Sequence, residues 1–412
     1  MKTSNDKLLT YHFYMNNMKY ILTKNFILFF IYLMSLLLFI NCSAQTNSNQ
    51  TQSSIIDTTE FLNSARHWYD IKDTDKIIEP LKDQKKYLAK DFEKIADNIL
   101  LYQKDNGGWA KNYDMQAILT SEQESEVVKS KSILNTCFDN SATFSHLNYL
   151  AKAYSISRKE KYKIAFTEGI KFILSAQYEN GGWPQFYPDT SGYRKYITFN
   201  DGAMMGVMKL LQRVVNEKSD YSIVDAELKD KIVNSFEMGI DCILNTQIKE
   251  SDSLLVWCQQ HNNITLKPED ARAYELASLC NGESADIVKF LMSLKNPNER
   301  IIESVNSAVK WFEESKISGV RIETINAPHS EYQYRNSDHD KILVEDQNAK
   351  SIWARYNSLE THIPIFCNRD GKIVYSFSEV ERERRIGYAW YVYDPQGVLD
   401  KYPTWLKRIN EN

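Results

Sequence analysis

Between residues 87 and 316, apolar side chains recur at the three-to-four-residue spacing of amphipathic helices. In 87–104 the stripe is Leu88, Phe92, Ile95, Ile99 and Leu100; in 141–156 it is Phe144, Leu147, Leu150 and Tyr154. Together they predict a first helical pair. Runs at 160–177 and 202–216 predict a second pair, and runs at about 228–248 and 283–294 a third. A seventh helix is predicted over about 301–316, with Ile302, Val305, Val309 and Phe312 on its apolar side. Beyond it the pattern changes: 319–322 and 372–376 read as short strands, and 378–385 as a last, heavily charged helix.

The turns that follow the first helices of these pairs repeat. Residues 103–113 read Gln-Lys-Asp-Asn-Gly-Gly-Trp-Ala-Lys-Asn-Tyr, and residues 177–187 read Gln-Tyr-Glu-Asn-Gly-Gly-Trp-Pro-Gln-Phe-Tyr, 74 positions on (177 minus 103). A worn third copy follows another 70 positions on (247 minus 177), with Gln247 and then Trp257. Repeats of this length, each a helical hairpin, predict a mainly α chain: an (α/α)3 toroid with an irregular, partly β-stranded flanking region. In each pair the long loop joins the first helix to the second, at 105–140, 178–201 and 249–282. Topology gathers all three loops at one mouth, the usual place for a site.

Composition narrows the function only a little. The 412 residues carry a net charge of −4 and 12% aromatic side chains, without the basic stripe expected of a nucleic-acid binder. The N-terminus says more. Lys19 and Lys24 precede an apolar run from Phe26 to Ile40, and a stretch rich in Ser, Thr, Gln and Asn follows. This order reads as an export signal over 1–44 and a flexible linker over 45–60, with the folded domain in the remaining 61–410. The chain is thus expected to be secreted or periplasmic. Cys42 offers the alternative of an outer-membrane lipoprotein, although Phe39-Ile40-Asn41 is a poor lead-in for lipidation. Five cysteines remain after position 42, an odd number with no CxxC, so no disulfide framework is expected.

Chemistry concentrates in the three loops and the C-terminal segment. Asp139 and Asp201 each precede a second helix; either alone reads as a helix cap, but both at one mouth could hold a hard cation or form an acid–base pair. Arg272 reads alone as a surface partner of Glu269 or Glu275. Arg355 and Arg369 lie in irregular segments where a guanidinium fork would suit a carboxylate. Trp109, Trp183, Tyr187 and Trp257 either face a sugar or wedge the loops. Glu381-Arg382-Glu383-Arg384-Arg385 reads as a solvated helical face.

At these residues the chain resembles the family 10 pectate lyases. The resemblance rests on Asn180-Gly-Gly-Trp-Pro-Gln-Phe-Tyr-Pro188, Ile197-Thr-Phe-Asn-Asp201, Trp257-Cys-Gln-Gln-His261, Ala271-Arg-Ala-Tyr-Glu-Leu276, Pro364-Ile-Phe and the tail from Glu381 to Trp390, in order across about 61–410. It implies an (α/α)3 toroid that cleaves polygalacturonate by calcium-assisted β-elimination, giving 4,5-unsaturated oligogalacturonides. By the same resemblance Asp139 and Asp201 bind Ca2+, and Arg272 takes the proton from C5. Substrate binding falls to Arg355, Arg369, Asn140, Trp183, Trp257 and Gln260, and the partner is the acidic polysaccharide, bound by a monomer. Ala110 stands where the family usually has Pro, and Gly202 where a second acid is common; the latter bears on cation affinity. Two other readings stay open: an inverting glycoside hydrolase using Asp139 and Asp201, and a non-catalytic glycan-binding surface protein.

Overall fold

Three of the described helices begin where a short polar side chain takes over an unsatisfied backbone N–H. Asp225 accepts from Leu228 N at 2.9 Å and Asn298 from Ile301 N at 3.0 Å, while Thr120 and Gln123 form a reciprocal capping box. In this computed structural model, which describes residues 55–70, 76–333 and 335–411, the predicted pairs are all present. They are Phe92–Tyr102 with Phe144–Ser157, Glu160–Ala176 with Ala203–Val215, and Ala226–Thr246 with Asn281–Ser293; the seventh helix is Glu299–Glu314.

The helices form two layers. First helices pack side by side in chain order, ending on Glu299–Glu314, and second helices do the same. The second helices are the more enclosed: Ala203–Val215 buries three methionines, two leucines and two valines. This is an α/α toroid. One continuous apolar core runs from Ile56 to Trp405, and a smaller cluster around Tyr274, Tyr356, Phe366 and Trp390 belongs to the flanking region.

The repeat is the stitching between hairpins. Gln103 donates to Gly107 O and to Ala165 O of the next hairpin; Gln177 donates to Gly181 O and Ser235 O; Gln247 donates to Leu255 O and Ser304 O. Gly107 and Gly181 both sit at φ +88°, and a Cβ on either would strike the carbonyl of Glu168 or Met238. Only glycine meets both demands, a left-handed turn and contact with the neighbouring helix.

Several segments went unread in the sequence. The first long loop contains a helix, Ser121–Lys129, and a further helix, Leu62–Asp70, precedes the toroid. Ile56 is buried and Glu60 accepts from Asn148 Nδ2, so the end of the expected linker is packed structure. The strand expected at 319–322 is the start of a long antiparallel hairpin, Val320–Glu331 with Asn336–Glu345. The expected export signal lies outside the described residues. Among the described residues, no helix is long and apolar enough to cross a membrane, and the five cysteines after position 42 are free and buried.

Candidate active site

Each repeat tryptophan does two jobs, and neither is sugar stacking. Trp109, Trp183 and Trp257 are fully buried, and their indole N–H groups are spent on Ile99 O, Ile173 O and Ile243 O of the preceding helices. Their backbone carbonyls then pin the far end of each long loop, accepting from Cys137 N, Thr198 N and Cys280 N. Those three residues lie just ahead of Asp139, Asp201 and Glu283. The tryptophans therefore place the acids and are themselves out of reach, which corrects the expectation that Trp183 and Trp257 contact substrate. Cross-loop bonds complete the mouth: Phe138 N to Gln185 O, Phe199 N to Gln259 O, and the short pairing of Ile197–Thr198 with Gln260–His261.

Neither aspartate caps a helix. Thr143 and Gly202 occupy the cap positions, and the turns Asp139–Ser141 and Asn200–Gly202 pack against each other instead. Asp139 is buried beside Lys111, whose Nζ lies 2.5 Å from Oδ2. Burial works against its charge, but Lys111 outweighs it and holds the carboxyl below the usual carboxylate range. Asp201 is open to solvent yet crowded by the loops. That crowding, with Asp139 as the next cause, pushes its carboxyl up to about 7. Arg272 and Arg355 both act on Asp201 across the same space.

The two arginines are held by acids: Arg272 by Glu275, one of the two partners expected for it, and Arg355 by Glu283, which the sequence did not single out. Arg272 is gripped by both oxygens of the buried Glu275, through Nε at 2.7 Å and through Nη2, with its guanidinium over the Tyr274 ring. Burial would lower its pKa; Glu275 reverses this, so the group is firmly protonated. Arg355 is nearly buried, bonded to Glu283 and to Asn200 Oδ1 at 2.9 Å, and lies over Tyr388. Its Nε is buried without a hydrogen bond. Arg369 is held differently: it is bound bidentately to Glu383 and shares the Tyr274 ring with Arg272.

The remaining expectations fare differently. Asn140 is buried, donating to Asn112 Oδ1 at 2.8 Å and accepting from Asn63, so its amide shapes the turn rather than facing a ligand. Gln260 is fully enclosed, with neither amide atom hydrogen-bonded, and does not reach the cleft surface. The charge run is no solvated face: Glu383 and Arg384 are buried and paired with each other through two bonds of 2.7 Å. The third acid, Glu283, was legible in principle, since it follows Cys280 as Asp201 follows Thr198.

A cation would fit between the first two acids. Asp139 Oδ1 is buried without a hydrogen bond, and Asp201 is kept from ionising partly by Asp139. Positive charge placed there answers both conditions. Among the described residues no three acidic, His or Cys side chains cluster tightly enough to form a complete cage, so further oxygens would have to come from substrate or water.

Comparison with known proteins agrees with the toroidal fold. The family described as pectic acid lyase matches residues 103–399. The chain belongs to that family. Its fold is similar to that of a family 10 polysaccharide lyase from Cellvibrio cellulosa, at a TM-score of 0.64 and 28% identity, covering 75% of this chain and 91% of that one. A mutant of that lyase solved in complex with trigalacturonic acid matches at the same TM-score and identity, over 75% of this chain and 92% of that one. No curated protein matched the sequence. This member of the pectic acid lyase family is accordingly an enzyme, a pectate lyase acting on polysaccharide.

Proposed function

We propose that this lyase cleaves polygalacturonate by β-elimination at the cleft between Asp139, Asp201, Arg272 and Arg355, releasing 4,5-unsaturated oligogalacturonides. The observation that carries the reading is that the turns bearing Asp139 and Asp201, 62 positions apart (201 minus 139), pack against each other, with Arg355 bonded to Asn200 in the second turn; the pull of Arg272 on both carboxyls supports it. The C5 proton of a galacturonate is α to its carboxylate, and its removal builds negative charge on that carboxylate. As the C4–O bond breaks, a C4–C5 double bond forms and the leaving oxygen takes up a proton.

The chain's own groups suit that sequence. Arg355, fixed by Glu283 and Asn200, lends its positive charge to the carboxylate on which charge develops. Arg272 is the group that meets the C5 proton. Glu275 sets the plane of its fork and keeps it protonated in the resting enzyme, so releasing a proton from it requires opposing positive charge nearby. Arg369 binds a uronate further along the chain. Asp139 and Asp201 would hold Ca2+, which when bound supplies positive charge to the uronate carboxylate. Export through residues 1–44, to the cell exterior or periplasm, brings the 61–410 domain to its polymer, where it works as a monomer.

Purified protein incubated with polygalacturonate, with and without Ca2+, tests the reading. Ultraviolet-absorbing unsaturated products that disappear with a chelator are expected. New reducing ends without that absorbance would indicate hydrolysis and sink the proposal.

A further inference from the structure

The guanidinium groups near the cleft form a connected row that ends on the long hairpin. Arg272, Arg384 and Arg369 all lie over the Tyr274 ring, at 5.0, 4.8 and 5.7 Å from its centre. Arg384 and Arg369 are both bidentate to Glu383, and a third cation, Arg335, approaches the same carboxylate with Nε 3.6 Å from Oε1. That distance is too long for a hydrogen bond, and Glu383 is already committed to two forks. Arg335 is partly exposed, at the turn between Val320–Glu331 and Asn336–Glu345.

The hairpin is fixed where it stands. Arg382 donates to His339 O, Pro328 O and Ser337 O, and Arg385 pairs with Asp340 through bonds of 3.0 and 2.6 Å. The helix Arg382–Gly387 thus carries Glu383 on one side and grips the hairpin on the other. Burial and the neighbouring Arg384 both work against the charge on Arg335, the condition that a bound anion relieves. None of the stretches on which the family resemblance rests lies in this hairpin.

We propose that Arg335 binds the carboxylate of an additional galacturonate unit beyond those at the reacting bond, so that the hairpin tip extends the groove and gives the enzyme a preference for longer oligomers. The proposal rests on the polygalacturonate reading above. It identifies the ligand as an acidic oligosaccharide because the partly exposed forks of Arg272, Arg369 and Arg335, with the buried Arg384 behind them, suit successive carboxylates of a uronate chain.

Gly387 offers a way to move Arg335 without deleting a charge. A Cβ there would lie 2.6 Å from Arg335 Cζ and 2.7 Å from Nη1, and no other contact within 3 Å stands in its way apart from that guanidinium. Alanine at 387 should displace the arginine head at little cost to the fold, since the obstructing atoms end a flexible side chain. The experiment compares wild type, Arg335→Ala and Gly387→Ala on trigalacturonate and hexagalacturonate, reading kcat/KM from unsaturated product and affinity by calorimetry. In both variants the loss on the hexamer should exceed that on the trimer by about tenfold, the scale of one charged hydrogen bond. Equal losses on both oligomers, or none, would overturn the subsite while leaving the lyase reading intact. A wild type that binds these oligomers but forms no unsaturated product would overturn the lyase reading itself, and the subsite with it.

Discussion

Glu275 holds Arg272 with both carboxylate oxygens, and it does so from inside the protein while the arginine remains half open to solvent. The arrangement fixes direction: a fork tied at Nε and Nη2 presents its remaining nitrogen along one line. Tyr388 bonds the same carboxylate at 3.2 Å and Tyr356 in turn, so the hold is itself braced.

Glu275→Gln keeps the shape and removes the charge, so kcat should fall by about a hundredfold with KM little changed. The alkaline pH dependence of the remaining activity should also move down, because the guanidinium loses the charge that keeps it protonated. An unchanged kcat would show that Arg272 needs no such hold. Arg272→Ala should abolish cleavage while polygalacturonate binding, followed by affinity electrophoresis, stays near wild type. Parallel loss of binding would make Arg272 a positioning residue.

Asp201 gives a pH dependence with a definite sign. Its carboxyl sits at about 7 in the folded chain against an ordinary 3.8, so between those values the native state holds a proton that the unfolded chain has lost. Stability without a cation should therefore fall as pH rises from about 4 to 7, and Asp201→Asn should remove that part of the decline. Cation binding displaces the same proton, so affinity should weaken about tenfold per pH unit below 7. Calcium titrations at pH 5.5 and 8 read this directly, and equal affinities would refute the coupling of Asp201 to the cation.

Trp183 separates packing from recognition. Its ring is fully buried and its N–H is spent on Ile173 O, so Trp183→Ala should cost about 3–5 kcal/mol of stability by denaturant unfolding. The KM of whatever folded enzyme remains should change far less than its stability. A stable variant with a large KM defect would restore the sugar-stacking role.

How far the sequence could be read follows from which interactions are local. The helical hairpins were legible because each depends on its own apolar stripe, and the copies at 103–113 and 177–187 marked their joints. The same copies misled on function, since Trp183 in a glycine-rich loop looks equally like a platform or a wedge until its neighbours are known. Asp139, Asp201, Arg272 and Arg355 could be named, and Glu275 as one of two partners for Arg272, but the pairing of Lys111 with Asp139 and of Glu283 with Arg355 could not, because an ion pair between distant segments is set by the tertiary fold. The run from Glu381 to Arg385 has the charge pattern of a solvated helix, and only the approach of Arg369 and the hairpin explains why Glu383 and Arg384 are buried.

Lys111 occupies one oxygen of the carboxylate that a cation would need, which sets two roles against each other. Without metal it neutralises a buried Asp139; with metal it competes. Lys111→Met should therefore lower the melting temperature of the metal-free protein, since deleting one partner of a buried pair typically costs about 3–5 kcal/mol. Calcium should then recover more of that loss in the variant than it adds to wild type, because the released carboxylate is free to ligate. Thermal unfolding of both proteins over a calcium series checks this without reference to activity. If calcium raised both melting temperatures equally, Asp139 would be serving Lys111 alone, and the cation would have to be sought elsewhere in the cleft.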